Sequence, residues 1–444
     1  MKIAITLKNI NRLAIPATIA GIAEPVLSLT DTAIVGNIPI NGLESLAAAG
    51  IVGSFLSMLI WILGQTQSAI SAIISQYLGA GRVQEVGTLP AQAIFFNIAL
   101  SLVILFFTTQ FMVEIFQLMK ASGKILDFCI SYFSIRIWGF PLTLFTFAIF
   151  GVFKGLQNTY WMMVIAIFGA VLNGALDFAL VYGVDGVIPA MHLEGAAWAS
   201  LIAQMVMALM AFVLLVTKTD ISLRLRLPLH PALGRLLGMS FNLFVRSFAL
   251  NTAMILSVRE ATDLGDHFIA AHTIAINLWL FTAFFIDGYA TAGNVIGGRL
   301  LGAKDYDNLW KLTKKVVRYG LVVSLGMLLF GFLFYGKIGH LFTNDVEVLT
   351  RFKSIFFILL LALPINTVAF VLDGLFKGLG EMKFLRNLLV LATFLGFVPV
   401  LFLGRYMGWE LYGIWIAFTL WMTLRAGALV WKFRRKFRPR LQNM

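Results

Sequence analysis

A chain of 444 residues that is 60% hydrophobic and only 12% charged is excluded from the ordinary soluble domains, whose residues are about 25% charged. Its net charge of +13 would point a soluble protein toward nucleic acid, but here the distribution of charge argues for a membrane. One cysteine, Cys129, excludes an internal disulfide and a cysteine-ligated metal cluster.

Continuously apolar runs recur along the chain, each near the ~20 residues that cross a ~30 Å hydrocarbon core. The spans from Ala93 to Val113, Gly195 to Thr217 and Phe268 to Ile286 contain no Asp, Glu, Lys or Arg. Six helices are predicted near 12–36, 46–76, 92–113, 127–151, 160–182 and 195–217. Six more are predicted near 233–258, 268–294, 317–336, 353–375, 385–404 and 410–431. The runs lack the alternation of membrane barrel strands, so the fold class is an all-α polytopic membrane protein. The start, Met1-Lys2-Ile3, carries no separable signal peptide with a small-residue cleavage site, so the first helix is expected to be retained.

When the connections are assigned alternately to two sides, the cations segregate. One side collects Lys8 and Arg12, Arg224 and Arg226, Lys304 to Arg318, and the tail from Lys432 to Arg440. The other has only Lys120, Lys124, Arg259, Lys337, Arg351, Lys353 and Arg405. The positive-inside rule then places both termini and the central connection in the cytoplasm.

The two sets of six helices are copies at a constant spacing of 223 residues. Leu46-Ala47-Ala48 matches Ile269-Ala270-Ala271, Leu78-Gly79-Ala80 matches Leu301-Gly302-Ala303, and Phe153-Lys154-Gly155-Leu156 matches Phe376-Lys377-Gly378-Leu379. The expected organisation is an N-lobe at 1–217, a cytoplasmic linker at 218–232 and a C-lobe at 233–444. Repeats of even helix number in the same order are related by a pseudo-twofold axis along the membrane normal, an architecture suited to alternating access.

The repeat fails at its most expensive residues. Asp31 in the first helix answers Met254, and Asp177 in the fifth answers Val400. Asn173 lies one turn before Asp177 on the same face. Ionisable groups within membrane helices suggest function by default. Two carboxylates withdrawn from water can carry a proton, or hold Na⁺ with amide and hydroxyl oxygens at Asp31, Asn173 and Asp177; the residue types leave that choice open. In the second half, Asp287 and Asp373 make a second polar site together with Gln65 of the first, or pair structurally with Arg246, Arg259 or Lys377. His272 is expected to pack or hydrogen-bond rather than bind metal, and Arg136 to snorkel or pair. Pro16 and Pro25 remove backbone donors from the first helix, marking either a fixed bend or one that responds to protonation of Asp31.

The stretch from Glu24-Pro25 to Asp31-Thr32-Ala33-Ile34-Val35-Gly36 resembles the first helix of MATE (multidrug and toxic compound extrusion) transporters. Lys154-Gly155-Leu156-Gln157-Asn158-Thr159, Leu172-Asn173-Gly174-Ala175-Leu176-Asp177 and Gly195-Ala196-Ala197-Trp198-Ala199-Ser200 extend the likeness. His272, Asn277, Trp279, Asp287-Gly288 and Ala290 resemble the DinF-type branch. The resemblance implies two lobes in a V and cation-coupled export of amphipathic, often cationic compounds. It also implies an N-lobe cation cluster of Asp31, Asn158, Asn173, Asp177 and Ser200, where serine keeps the hydroxyl of the family's usual threonine. Asp373 resembles a C-lobe carboxylate of other branches, while Gln65-Thr66-Gln67-Ser68 departs from the branch pattern. The expected protein is thus a secondary multidrug antiporter driven by H⁺ or Na⁺. It is expected to be monomeric in the bacterial inner membrane, with no cofactor and no nucleic-acid partner. A flippase for a lipid-linked precursor is the alternative and would require a strongly cationic cavity. An intramembrane enzyme would need a nucleophile or metal motif, and none is present.

Overall fold

The computed structural model describes residues 5–39, 41–184 and 186–442, so the Met1-Lys2-Ile3 start lies outside them. Among the described residues every regular element is helical, apart from one isolated bridge between Val184 and Ile188. Helix α1 runs over Leu7–Gly36, continuing through Pro16 and Pro25. Helices α2 (Gly42–Leu63) and α3 (Thr66–Gly79) form one span with a break at Gly64 and Gln65. There follow α4 (Leu89–Gln110), the short α5 (Met112–Leu118), α6 (Gly123–Arg136), α7 (Gly139–Gly155), α8 (Tyr160–Tyr182) and α9 (His192–Lys218). Helices α6 and α7 meet at 46° and together cover the span expected near 127–151.

The second set comprises α10 (Leu233–Leu264), α11 (Asp266–Gly302), α12 (Tyr306–Leu333), α13 (Val346–Gly378), α14 (Met382–Leu391), α15 (Val398–Tyr406) and α16 (Glu410–Gln442). A π-helical turn, Ala392–Phe397, joins α14 to α15. Eleven spans among the described residues are long and apolar enough to cross a membrane, and the bent α6–α7 pair makes twelve. Helices suit this solvent because they satisfy their backbone groups internally. Large apolar side chains such as Phe106, Val171, Phe212 and Phe330 are exposed, as lipid contact requires. Outside the spans, side chains cap helix ends: the Asp345 carboxylate accepts the Glu347 and Val348 backbone N–H groups at 2.9 Å each. The Val348 hydrogen bond is the main reason this carboxyl is held below the usual carboxylate range.

The chain packs as two compact units, and they do not divide at residues 218–232. One unit is Met1–Thr18, Ser75–Gly81 and Met239–Met444; the other is Ile19–Ile74 and Arg82–Gly238. Packing explains the first assignment. Ile10, Leu13 and Ala14 share a core with Ile286, Val295, Leu309 and Phe376. The end of α3 joins through glycines of the repeated Leu-Gly-Ala motif. A Cβ on Gly79 would lie 1.8 Å from the Arg299 carbonyl oxygen, and one on Gly302 would lie 2.0 Å from that of Gln76. Gln76 and Arg299 are themselves matched at the 223 spacing, so the contact is reciprocal, as a twofold relation demands. Gln76 also donates to the Gly378 carbonyl at 2.8 Å. Gly302→Val is expected to force these backbones apart and destabilise the protein by about 1–3 kcal/mol, the usual cost of overpacking. Thermal unfolding in detergent checks this, with an unchanged midpoint counting against a tight crossing.

The other unit packs α8 against α9, α4 against α7 and α2 against α6. Within it, Phe55, Phe116 and Phe133 form a mutually packed cluster with centroids 5.2–6.1 Å apart. Cys129 is buried in the same unit, its Sγ 3.9 Å from the Ala48 carbonyl oxygen.

Candidate functional site

In the unit containing Ile19–Ile74, α8 carries Asn173 and Asp177 on one face, with exposures of 1% and 0%. The Asn173 amide nitrogen has two hydrogens and gives one to each of two carboxylates. It donates to Asp31 Oδ1 at 2.8 Å and to Asp177 Oδ2 at 2.5 Å. One amide therefore holds the two carboxylates together and ties α1 to α8. Tyr182 Oη adds a second tie, donating to the Ile34 carbonyl at 2.9 Å.

Asp31 and Asn173 line a cavity of about 180 Å³, together with Ser200, Gln204 and Arg136. The remaining wall is largely apolar, with Phe140, Phe147 and Phe150 among its members. Four buried oxygens here make no hydrogen bond to the described protein: Asn173 Oδ1, Asp177 Oδ1, Ser200 Oγ and Gln204 Oε1. Such an oxygen set suits a hard cation. Gln204 reaches the cavity because Gly139 has no side chain; a Cβ there would lie 1.6 Å from Gln204 Oε1.

Two wall residues were not assigned to the site from sequence. Gln204 is one turn beyond Ser200 on α9, and that i, i+4 spacing was the signal available. Arg136 was expected to snorkel or pair. It is the last residue of α6, at the 46° bend, and this places it on the cavity wall. Its charge acts on Asp177. Two carboxylates and one guanidinium leave the pocket one positive charge short when all three are ionised.

Asn158 is not brought to this cluster. It lies in the turn before α8, fifteen residues from Asn173, or about 22 Å at the helical rise of 1.5 Å per residue. Gln65 sits at the α2–α3 break, outside the cavity wall. Neighbouring Gln67 accepts a hydrogen bond from Lys154 Nζ at 3.0 Å. Asp287 is exposed on α11 and acts electrostatically on Lys377.

The matched region of the other unit has different chemistry. The counterparts of Asp31, Arg136, Asn173, Asp177 and Gln204 are Met254, Leu359, Gly396, Val400 and Gly427. Gly396 lies in the π-helical turn, and aromatic rings pack beside it, with Phe397 5.0 Å from Phe418 and 6.0 Å from Trp421. Asp373 is held by Arg246 at 2.6 Å, Lys377 at 3.3 Å and Arg425 at 3.7 Å. Arg246 and Lys377 are two of its expected partners; Arg425, rather than Arg259, completes the cluster. His272 is fully buried, 3.3 Å from Ser257 Oγ and packed against Trp415 and Phe418, the packing and hydrogen-bonding role expected.

A family model described as MatE matches residues 16–179 and 243–402. The DNA damage-inducible protein F of Escherichia coli is 26% identical over 440 residues, covering 97% of this chain and 93% of that protein. Protein DETOXIFICATION 43 of Arabidopsis thaliana is 28% identical over 71% of this chain, and the match spans 60% of the plant protein. Protein DETOXIFICATION 42 is 29% identical over 68% of this chain, with 57% of its own length matched. Among solved structures, a MATE protein in the bent conformation superposes with a TM-score of 0.90 at 21% identity, covering 98% of this chain and 96% of the other. A MOP superfamily transporter from Pyrococcus furiosus gives 0.89 at 20% identity, covering 98% and 96%. At those identities the structural likeness establishes the fold.

Proposed function

The chain belongs to the MatE family of membrane transporters and is not an enzyme, and on that footing we propose that it exports amphipathic organic cations in exchange for one monovalent cation, H⁺ or Na⁺. The observation carrying this reading is the Asp31–Asn173–Asp177 cluster beside Arg136, with Asn173 and Asp177 buried, Asp31 and Arg136 half-buried, and one positive charge lacking. A proton on either carboxylate, or Na⁺ among the carboxylate, amide and hydroxyl oxygens, balances the pocket. An organic cation near the same carboxylates balances it too, so coupling ion and substrate compete for one charge deficit. Phe140, Phe147 and Phe150 offer ring faces and apolar area to such a substrate.

Asp31 links the site to α1, since its carboxylate accepts from Asn173 only while that oxygen is free to do so. Ser200 and Gln204 supply neutral oxygens and no charge. Asn158 drops out of the proposed cluster on distance. The acidic balance disfavours a flippase for a lipid-linked pyrophosphate, which needs a cationic cavity. The reading includes a monomer in the bacterial plasma membrane with cytoplasmic termini; the segregation of cations supports the orientation and the bacterial relatives support the membrane.

Everted membrane vesicles holding a pH gradient test the coupling. Adding a fluorescent organic cation is expected to collapse ΔpH with the wild type and not with Asp31→Asn. If only a Na⁺ gradient drives dye movement, the coupling ion is Na⁺, and Gln204→Leu should then raise the Na⁺ requirement. Dye movement indifferent to both gradients would overturn cation antiport.

A further inference from the structure

In the unit containing Met239–Met444, α12, α13 and α16 enclose a groove of about 1040 Å³. Its apolar part is walled by Leu321, Pro364, Val368 and Val430, with Gly427 on the α16 side, where an added Cβ would meet nothing within 4 Å. Along α16 the lining changes from Gly427 through Trp431 to Arg434, Arg435 and Arg438, at the spacing of one helix face. Trp431 is 55% exposed, and the Arg435 guanidinium stacks 5.1 Å from its ring centroid. The three arginines are exposed and have no carboxylate within salt-bridge distance among the described residues. Lys436, off the groove, is instead paired with Glu381. The three groove arginines are thus unneutralised, whereas Lys436 beside them is paired.

We propose that this groove binds an anionic phospholipid, with an acyl chain along the apolar floor and the phosphate held by Arg434, Arg435 and Arg438. Guanidinium groups present paired donors that match phosphate oxygens. Tryptophan favours the headgroup level, where one end is apolar and the other wet. Basic pockets between membrane helices recognise anionic headgroups by this combination. A soluble phosphate compound would use the arginines and leave the apolar floor unfilled, so the lipid accounts for both halves of the groove. The site is separate from the acidic cluster and does not rest on the transport reading.

The purified full chain in neutral detergent, titrated with phosphatidylglycerol or phosphatidylcholine and read by native mass spectrometry, tests this. The wild type is expected to retain phosphatidylglycerol in preference. The triple variant Arg434→Gln, Arg435→Gln, Arg438→Gln is expected to lose that preference by on the order of a hundredfold, while Lys383→Gln on the same unit keeps it. Gly427→Phe, which fills the floor, should weaken both lipids. Equal retention of the two lipids by the wild type, or an unchanged preference in the triple variant, would overturn the proposal. So would competition by glycerol phosphate at the same concentration as the lipid, which would reveal a phosphate site without a lipid requirement. Unchanged elution on size exclusion verifies that the variants are folded.

Discussion

Asp177→Asn is expected to abolish cation-coupled export while leaving the protein folded. The amide matches the carboxylate in shape, and its oxygen can still accept from Asn173, whose amide nitrogen lies 2.5 Å from Asp177 Oδ2 in the native protein. What disappears is charge: with Asp31 and Arg136 remaining, the pocket balances without a guest. A coupling cation should then bind about a hundredfold more weakly or worse, the scale seen when one member of a buried charge pair is removed. Vesicle ΔpH or Na⁺-gradient assays should read near background, with a melting temperature within a few degrees of wild type. Full coupling in this variant would move the cation route out of the acidic cluster. A collapsed melting temperature would recast Asp177 as structural.

Asp373→Asn is expected to do the opposite. Asp373 is the carboxylate shared by Arg246, Lys377 and Arg425, and so joins α10, α13 and α16. The Arg246 and Arg425 side chains are 6% and 1% exposed. Neutralising the carboxylate leaves cations facing one another without it. Breaking a buried ion pair from one side costs about 3–5 kcal/mol. The variant should melt well below wild type, and adding Arg246→Gln should restore part of the loss by removing one of the stranded charges. A single variant that melts like wild type would mean that water, rather than Asp373, balances these cations. Two buried carboxylates on corresponding scaffolds thus lead to opposite expectations. One lies in a pocket deficient in positive charge, the other in a pocket rich in it.

Much of this was legible before any coordinates. Helix type and approximate span followed from hydrophobic length, because a segment in hydrocarbon must satisfy its own backbone groups. The pairing of Asn173 with Asp177 followed from their four-residue spacing on one helix, and the mismatches with Gly396 and Val400 marked them as exceptions to the repeat. These are local or periodic properties, and a chain carries them in one dimension.

The rest depended on which helices pack together. Asn158 belongs to the same motif-bearing segment as Asn173, yet fifteen residues of helix carry it away from the cluster. Arg136 reaches the cavity because α6 ends in a 46° bend, and Gln204 because Gly139 yields space on a neighbouring helix. Arg425 is 52 residues from Asp373 in sequence and 3.7 Å away in space. The first residues of α1 and the end of α3 join the unit built mainly from the second half, through core packing and a reciprocal glycine contact. Sequence determined the number and character of the helices and the carboxylates that the repeat does not explain. Tertiary structure decided the charge balance around each carboxylate, because Coulomb energy depends on distance in space, and distances between helices are set by side-chain packing that periodicity does not encode.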